Sequence, residues 1–197
     1  EYTKNKKYGF LFESVEKEVI RGRYTICGHT PQMIIKDEDK VLNIKSNKTN
    51  KKINNKNPLI GISELIKSLK FKNSNKLPSM CSAFYGYFGY ETIHYVENIS
   101  VKKKKDDLKL PNSILFLPKF IIVFDNKELK ITISSPVISR ETKISDYELI
   151  KNEFSKLEKN ILKKLPTDKI NLNLRKKLNP KSNISKKIFI KNIKKAK

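Results

Sequence analysis

The sequence predicts an α+β protein, mostly antiparallel sheet with flanking helices. Three observations carry this. Short apolar runs rich in Ile, Val, Phe and Tyr recur as far as Ser134, separated by turn residues. Two hairpins close on themselves, "QMIIKDEDKVLNIKS" around residues 37–40 and "SILFLPKFIIVFDNKELKITIS" around "DNKE". From Ser145 the apolar period lengthens to three or four residues, the helical spacing.

Taken in order, residues 8–15, "YGFLFESV", read as a buried strand that runs into an acid and a hydroxyl. Residues 24–28 read as a second strand, ended by the breaker "GHTP", and the first hairpin follows. Residues 46–58 are Lys/Asn-rich and predict a loop. In "SELIKSLKF", Ser63 is placed to cap a helix carrying Leu65, Ile66 and Leu69. "SAFYGYFGY" returns to strand, and "ETIHYVENI" reads as a helix. "SILFLPKFIIVFDN" is the most apolar stretch, with Pro118 interrupting what would otherwise be one strand. Residues 129–134 are its hairpin partner. A long helix then carries Tyr147, Ile150, Phe154, Leu157, Ile161 and Leu165, with Asp146 and Glu148 in its first turn and Lys163 and Lys164 in its last. Pro166 stops it, and a last amphipathic helix starts at Ser185. The domain reading is residues 1–165 as one domain incomplete at its start, 166–183 as linker, and 184–197 as the first helix of a further domain.

Composition narrows the function. The net charge of +23 invites a nucleic-acid or membrane-surface reading, but of 43 basic residues only Arg21, Arg23, Arg140 and Arg175 are arginine. Nucleic-acid sites favour the bidentate fork of Arg. Lys, Asn and Ile share codons made of A and T only, so drift toward A+T accounts for the excess on any solvated face. The run 102–105 of lysines before Asp106 and Asp107 reads as a loop. No apolar run approaches the ~20 residues that cross a bilayer as a helix. Cys27 and Cys81 lack metal-ligand spacing and read as free buried thiols of a reducing, cytoplasmic setting.

Most motif-like features have plain explanations. Gly86 and Gly89 among Tyr85, Tyr87 and Tyr90 lack the spacing of a phosphate loop and fit a bend or close backbone approach. His94 reads as a packing residue, His29 as a turn residue, and Glu91 and Glu97 as capping or surface acids. No Ser-His-Asp, Cys-His or paired-carboxylate arrangement stands out, which leaves no candidate catalytic residue.

Four blocks taken together do carry a resemblance. "FLFESVEKEVIRGRYTICGHTP", "GYFGYETIHYVENI", "LKLPNSILFLPKFIIVFDN" and "SNISKKIFIKNIKKAK" resemble, in order, the N-terminal part of anthranilate synthase component I and the opening of its chorismate-binding domain. The resemblance implies the N-terminal part of that family's α/β sandwich. It implies conversion of chorismate and ammonia to anthranilate and pyruvate, with Mg²⁺ held by the catalytic domain and ammonia supplied by a glutamine amidotransferase partner. It also implies inhibition by tryptophan at a pocket using the Glu-Ser element, here Glu13 and Ser14, with Arg23 at the basic position. Thr25 stands where the family usually has Ser. The carboxylates that hold chorismate and Mg²⁺ in the family belong to its catalytic domain, so the chain reads as an inactive fragment, cut at both ends. Aminodeoxychorismate synthase component I is the nearest alternative, and a non-catalytic basic binding module or a free-standing amino-acid sensor the more distant ones.

The residue types support the ligand independently. A buried carboxylate must be paired or neutralised, and an α-amino acid brings an ammonium and a carboxylate. Glu13 and Ser14 would receive the ammonium and Arg23 the carboxylate, with Phe10 and Phe12, on one strand face, as candidates to line an indole slot. A structural ion pair of Glu13 with Arg21 or Arg23 is the other reading of the same residues.

Overall fold

The computed structural model describes residues 2–3, 5–13, 22–71, 77–99, 108–139, 141–163 and 180–197. They fall into two compact units, residues 1–159 and 160–197. The first is built on an antiparallel sheet: β1 (Phe10–Glu13), β2 (Tyr24–Glu38), β3 (Val41–Ser46), β4 (Asn50–Asn54), β5 (Tyr85–Phe88), β6 (Ser113–Asp125) and β7 (Lys130–Ser134). The order is β4-β3-β2-β6-β5, with β1 also beside β2 and β7 also beside β6. The α+β expectation holds.

Two long strands make the sheet. The first half of β2 takes β1 on its outer edge and the second half takes β3. Likewise β5 borders the first half of β6 and β7 the second. "GHTP" therefore does not end a strand, and Pro118 does not interrupt one. The reason is pairing across the sheet: Pro31 stands directly opposite Pro118, so the two missing amide donors fall at one point of the ladder. There Thr30 takes φ 54°, and the register shifts between Pro31 and Met33, which makes Gln32 an extra, bulged residue of β2. Its side-chain amide donates to the carbonyls of Pro118 at 3.2 Å and Pro136 at 2.6 Å.

Side chains pack in two clusters. Met33, Ile35, Leu42, Ile44, Leu115 and Leu117 point to one face, where Ile62 of α1 (Pro58–Ser68) and Ile138 complete a core. On the other side, aromatic side chains of β1 meet those of β5. Phe10 stacks on Tyr85 at 4.3 Å and reaches Phe116 at 5.7 Å. Cys81, Ile121 and Val123 join this second cluster. In the β7 half, Phe154 of α2 (Ile144–Ile161) packs edge-on to Phe120 at 5.1 Å, and Lys119 pairs with Glu153 at 2.6 Å. Being covered on both sides, β6 is buried almost throughout.

Several local expectations are corrected. Residues 50–54 are not loop but an exposed edge strand, β4, carried by pairing with β3. The cap of α1 is Asn57, whose side chain accepts from the amides of Leu59 and Ile60, with Pro58 as first helical residue; Ser63 lies inside the helix. Residues 90–95 make only a 3₁₀ turn. That turn is tied to the β2–β3 hairpin by a polar network. Asp37, fully buried, accepts the Lys40 amide at 3.2 Å, and Asn112 donates to the Tyr95 hydroxyl at 3.0 Å. Burial, and then the nearby Asp37 carboxyl, pushes Tyr95 up to about 12.

The second unit holds α3 (Lys186–Ala196), capped by Ser185, whose hydroxyl accepts the Ile188 amide at 3.4 Å. Most of the expected linker, with Leu165 and Pro166, lies outside the described residues.

Candidate functional site

Glu13 is the last residue of β1 and pairs with Thr25 on β2, two residues along from Arg23. The strand is shorter than expected and sits at the edge of the sheet, so Leu11, Phe12 and Glu13 are exposed. Glu13 is therefore not a buried carboxylate that needs a partner. Phe10 and Phe12 do share a face, their rings 5.2 Å apart, with Tyr85 6.0 Å from Phe12. Ser14 and Arg21 lie outside the described residues.

Arg23 is held firmly. Its Nε donates to both carboxylate oxygens of Asp125 at 3.0 Å, and one terminal nitrogen donates to Oδ2 at 2.7 Å. Glu128 comes within 3.8 Å, and the guanidinium lies over the Tyr24 ring at 4.9 Å. The Arg23 hydrogen bond, reinforced by the amides of Glu128 and Lys127, holds the Asp125 carboxyl down at about 2. Among the described residues no ion pair joins Glu13 to Arg23, and the second terminal nitrogen of Arg23 makes no hydrogen bond. Asp125 is the neighbour that sequence reasoning missed. "DNKE" marked it as a turn residue, but no local signal links positions 102 residues apart.

The two histidines have local partners. His29 Nδ1 lies 2.6 Å from the Thr30 hydroxyl with Tyr2 beside its ring, and His94 Nδ1 lies 3.2 Å from the Ile99 carbonyl. Cys27 and Cys81 are free and buried. Two surface concavities lie apart from Glu13 and Arg23. One, of about 550 Å³, lies between β7 and α2; the other, of about 450 Å³, lies on the β2–β3 hairpin face. Among the described residues no three His, Cys, Asp or Glu side chains are grouped to hold a metal ion, so no described residue is assigned to Mg²⁺. No described helix is long and apolar enough to cross a membrane.

The sequence pattern of one family, described as chorismate binding enzyme, matches residues 10–197. The chain belongs to the chorismate-binding enzyme family. Within that family, anthranilate synthase component 1 of Acetivibrio thermocellus is 31% identical over 199 residues, covering 95% of this chain and 39% of that protein. A probable anthranilate synthase component 1 of Schizosaccharomyces pombe is 27% identical, covering 96% and 36%. The crystal structure of anthranilate synthase component I from Streptococcus pneumoniae TIGR4 aligns with TM-score 0.58 over 77% of this chain and 32% of its own, at 24% identity, which establishes a shared fold. This member of the chorismate-binding family thus spans well under half the length of the relatives it matches.

Proposed function

We propose that the chain serves as the N-terminal, regulatory part of an anthranilate synthase component I, which converts chorismate and ammonia to anthranilate and pyruvate. Ammonia comes from a glutamine amidotransferase partner, Mg²⁺ is held by residues other than those described, and the protein works in the cytoplasm. The observation that carries this reading is the 31% identity to a protein of that name along 95% of the chain.

Tryptophan is the regulatory ligand of this reading, received at the open end of the β1–β2 pair. Glu13 and Ser14 take its ammonium. Arg23 meets its carboxylate through the terminal nitrogen that Asp125 leaves unused. Asp125 neutralises part of the guanidinium field, so Arg23 acts here more as an oriented donor than as a free charge. The exposed ring of Phe12 offers an apolar wall beside the ammonium end.

Calorimetric titration of the intact protein with tryptophan tests the site. Loss of a hydrogen bond to a charged group is worth about 1.5–3 kcal/mol, so Glu13→Ala is expected to weaken binding about tenfold or more. Ser14→Phe is expected to abolish it. Affinity unchanged in both variants removes the site. Product analysis with chorismate, glutamine and Mg²⁺ tests the reaction: anthranilate is expected, and accumulation of aminodeoxychorismate would move the protein to the folate branch.

A further inference from the structure

We propose that the concavity on the β2–β3 hairpin face binds a small organic anion carrying at least two acid groups on an apolar body. The site is separate from Glu13 and Arg23 and does not depend on their role.

The strand register builds it. Ile34 stands opposite Lys45 and Lys36 opposite Asn43, so Lys36 and Lys45 are diagonal neighbours on one face of the sheet. Lys7 approaches from the N-terminal segment, and Tyr8, Pro31 and Ile34 form the floor of a concavity of about 450 Å³. That volume falls in the range of small-molecule sites. Of the floor residues, Tyr8 and Ile34 pack against the aromatic cluster of Tyr85 and Phe116, so the floor is continuous with the core and fixed by it.

The charge is unbalanced. The one carboxylate at the rim, Glu38, already accepts from the Asn43 amide at 2.9 Å. Among the described residues none of Lys7, Lys36 and Lys45 forms an ion pair with an acid. Ammonium groups gathered without counter-charge repel one another, and a protein concavity, which water fills less freely than a flat surface, concentrates their field on the space between them. A lysine-rich composition explains why lysines are common on solvated faces. It does not explain why three of them line one concavity together with Tyr8, Pro31 and Ile34. Ammonium groups act as point charges and suit carboxylate or phosphate oxygens in any orientation. The floor adds a preference for a flat apolar body over a bare ion. The bounded volume fits a small molecule better than the track of a nucleic-acid strand.

Four probes test the site by chemical-shift titration of the chain at low salt: phthalate (an aromatic dicarboxylate), benzoate, inorganic phosphate and a short single-stranded oligonucleotide. Saturable phthalate binding is expected, with benzoate and phosphate weaker. Partly exposed charge pairs predict a loss of about threefold for Lys36→Gln or Lys45→Gln singly and about tenfold for the pair. Lys187→Gln, on α3, is expected to leave binding unchanged, with thermal melts confirming that each variant folds. Four results would overturn the proposal: no saturable phthalate binding, equal affinity in the double variant, phosphate bound as tightly as phthalate, or a short single-stranded oligonucleotide bound more tightly than phthalate. Tryptophan titration of the same variants separates this site from the regulatory one, since its affinity is expected to be unchanged.

Discussion

Replacing Gln32 by Met keeps the length of the side chain and removes its amide. The two carbonyls it serves, on Pro118 and Pro136, belong to buried residues, so water does not readily take over. Each neutral hydrogen bond contributes about 0.5–1.5 kcal/mol net, and an acceptor left buried without a partner costs about 1–3 kcal/mol. Met also recovers some apolar contact at the join, which brings the expected loss for Gln32→Met to about 2 kcal/mol. For a chain of this size that is a fall in Tm of about 4–8 °C. Urea unfolding gives the same quantity directly, with an unchanged slope if the variant remains two-state. Gln32→Glu is the informative companion. At pH 7 its carboxylate faces two carbonyl oxygens and the loss exceeds that of Met; at pH 4 a protonated carboxyl can donate to one of them and the deficit shrinks. A Met variant within about 0.5 kcal/mol of the parent, the range of ordinary surface changes, refutes the idea that this amide holds the sheet together at its break.

The remaining predictions concern titratable groups. Asp125 is depressed from 3.8 to about 2, so the stability it contributes is fully present above about pH 4 and disappears as pH falls toward 2. Asp125→Asn should therefore be less stable at neutral pH and show a flatter acid limb, the two curves converging near pH 2 in denaturant melts at fixed salt; parallel curves would contradict the Arg23 pairing. Burial pushes Cys27 up to about 11 and raises Cys81 as well. Native chain should then react negligibly with an aromatic disulfide at pH 8, and urea should release both thiols; fast reaction of the folded chain would mean that one is exposed.

Local features are legible in the sequence: the hairpin tip at Asp39 and Lys40, the turn after Asp125, the periodicity of α2 and the Ser185 cap all lie within a few residues of their own signals. What failed depended on partners far away in sequence. "GHTP" carries every mark of a strand end until Pro118 is placed against it. Residues 50–54 have weak strand preferences and become β4 because β3 offers an open edge. The start of α1 differs for another reason: Ser63 resembles a cap, but Asn57 followed by Pro58 is the stronger local pattern. At the candidate site, the apolar run before Glu13 suggested burial, yet a four-residue edge strand has little around it to bury against. The Arg23–Asp125 pair was beyond reach, since it exists only once β2 and β6 lie side by side.

Gln32 has a second significance that its side chain does not exhaust. As the additional residue on β2, it sets the phase in which Met33 and Ile35 meet Leu117 and Leu115. Deleting it, unlike substituting it, would shift one end of β2 by a single step and turn inward-pointing residues out to solvent. The chain should therefore tolerate almost any side chain at this position better than it tolerates losing the position, whereas lengthening the turn between β3 and β4 would disturb only its own tip.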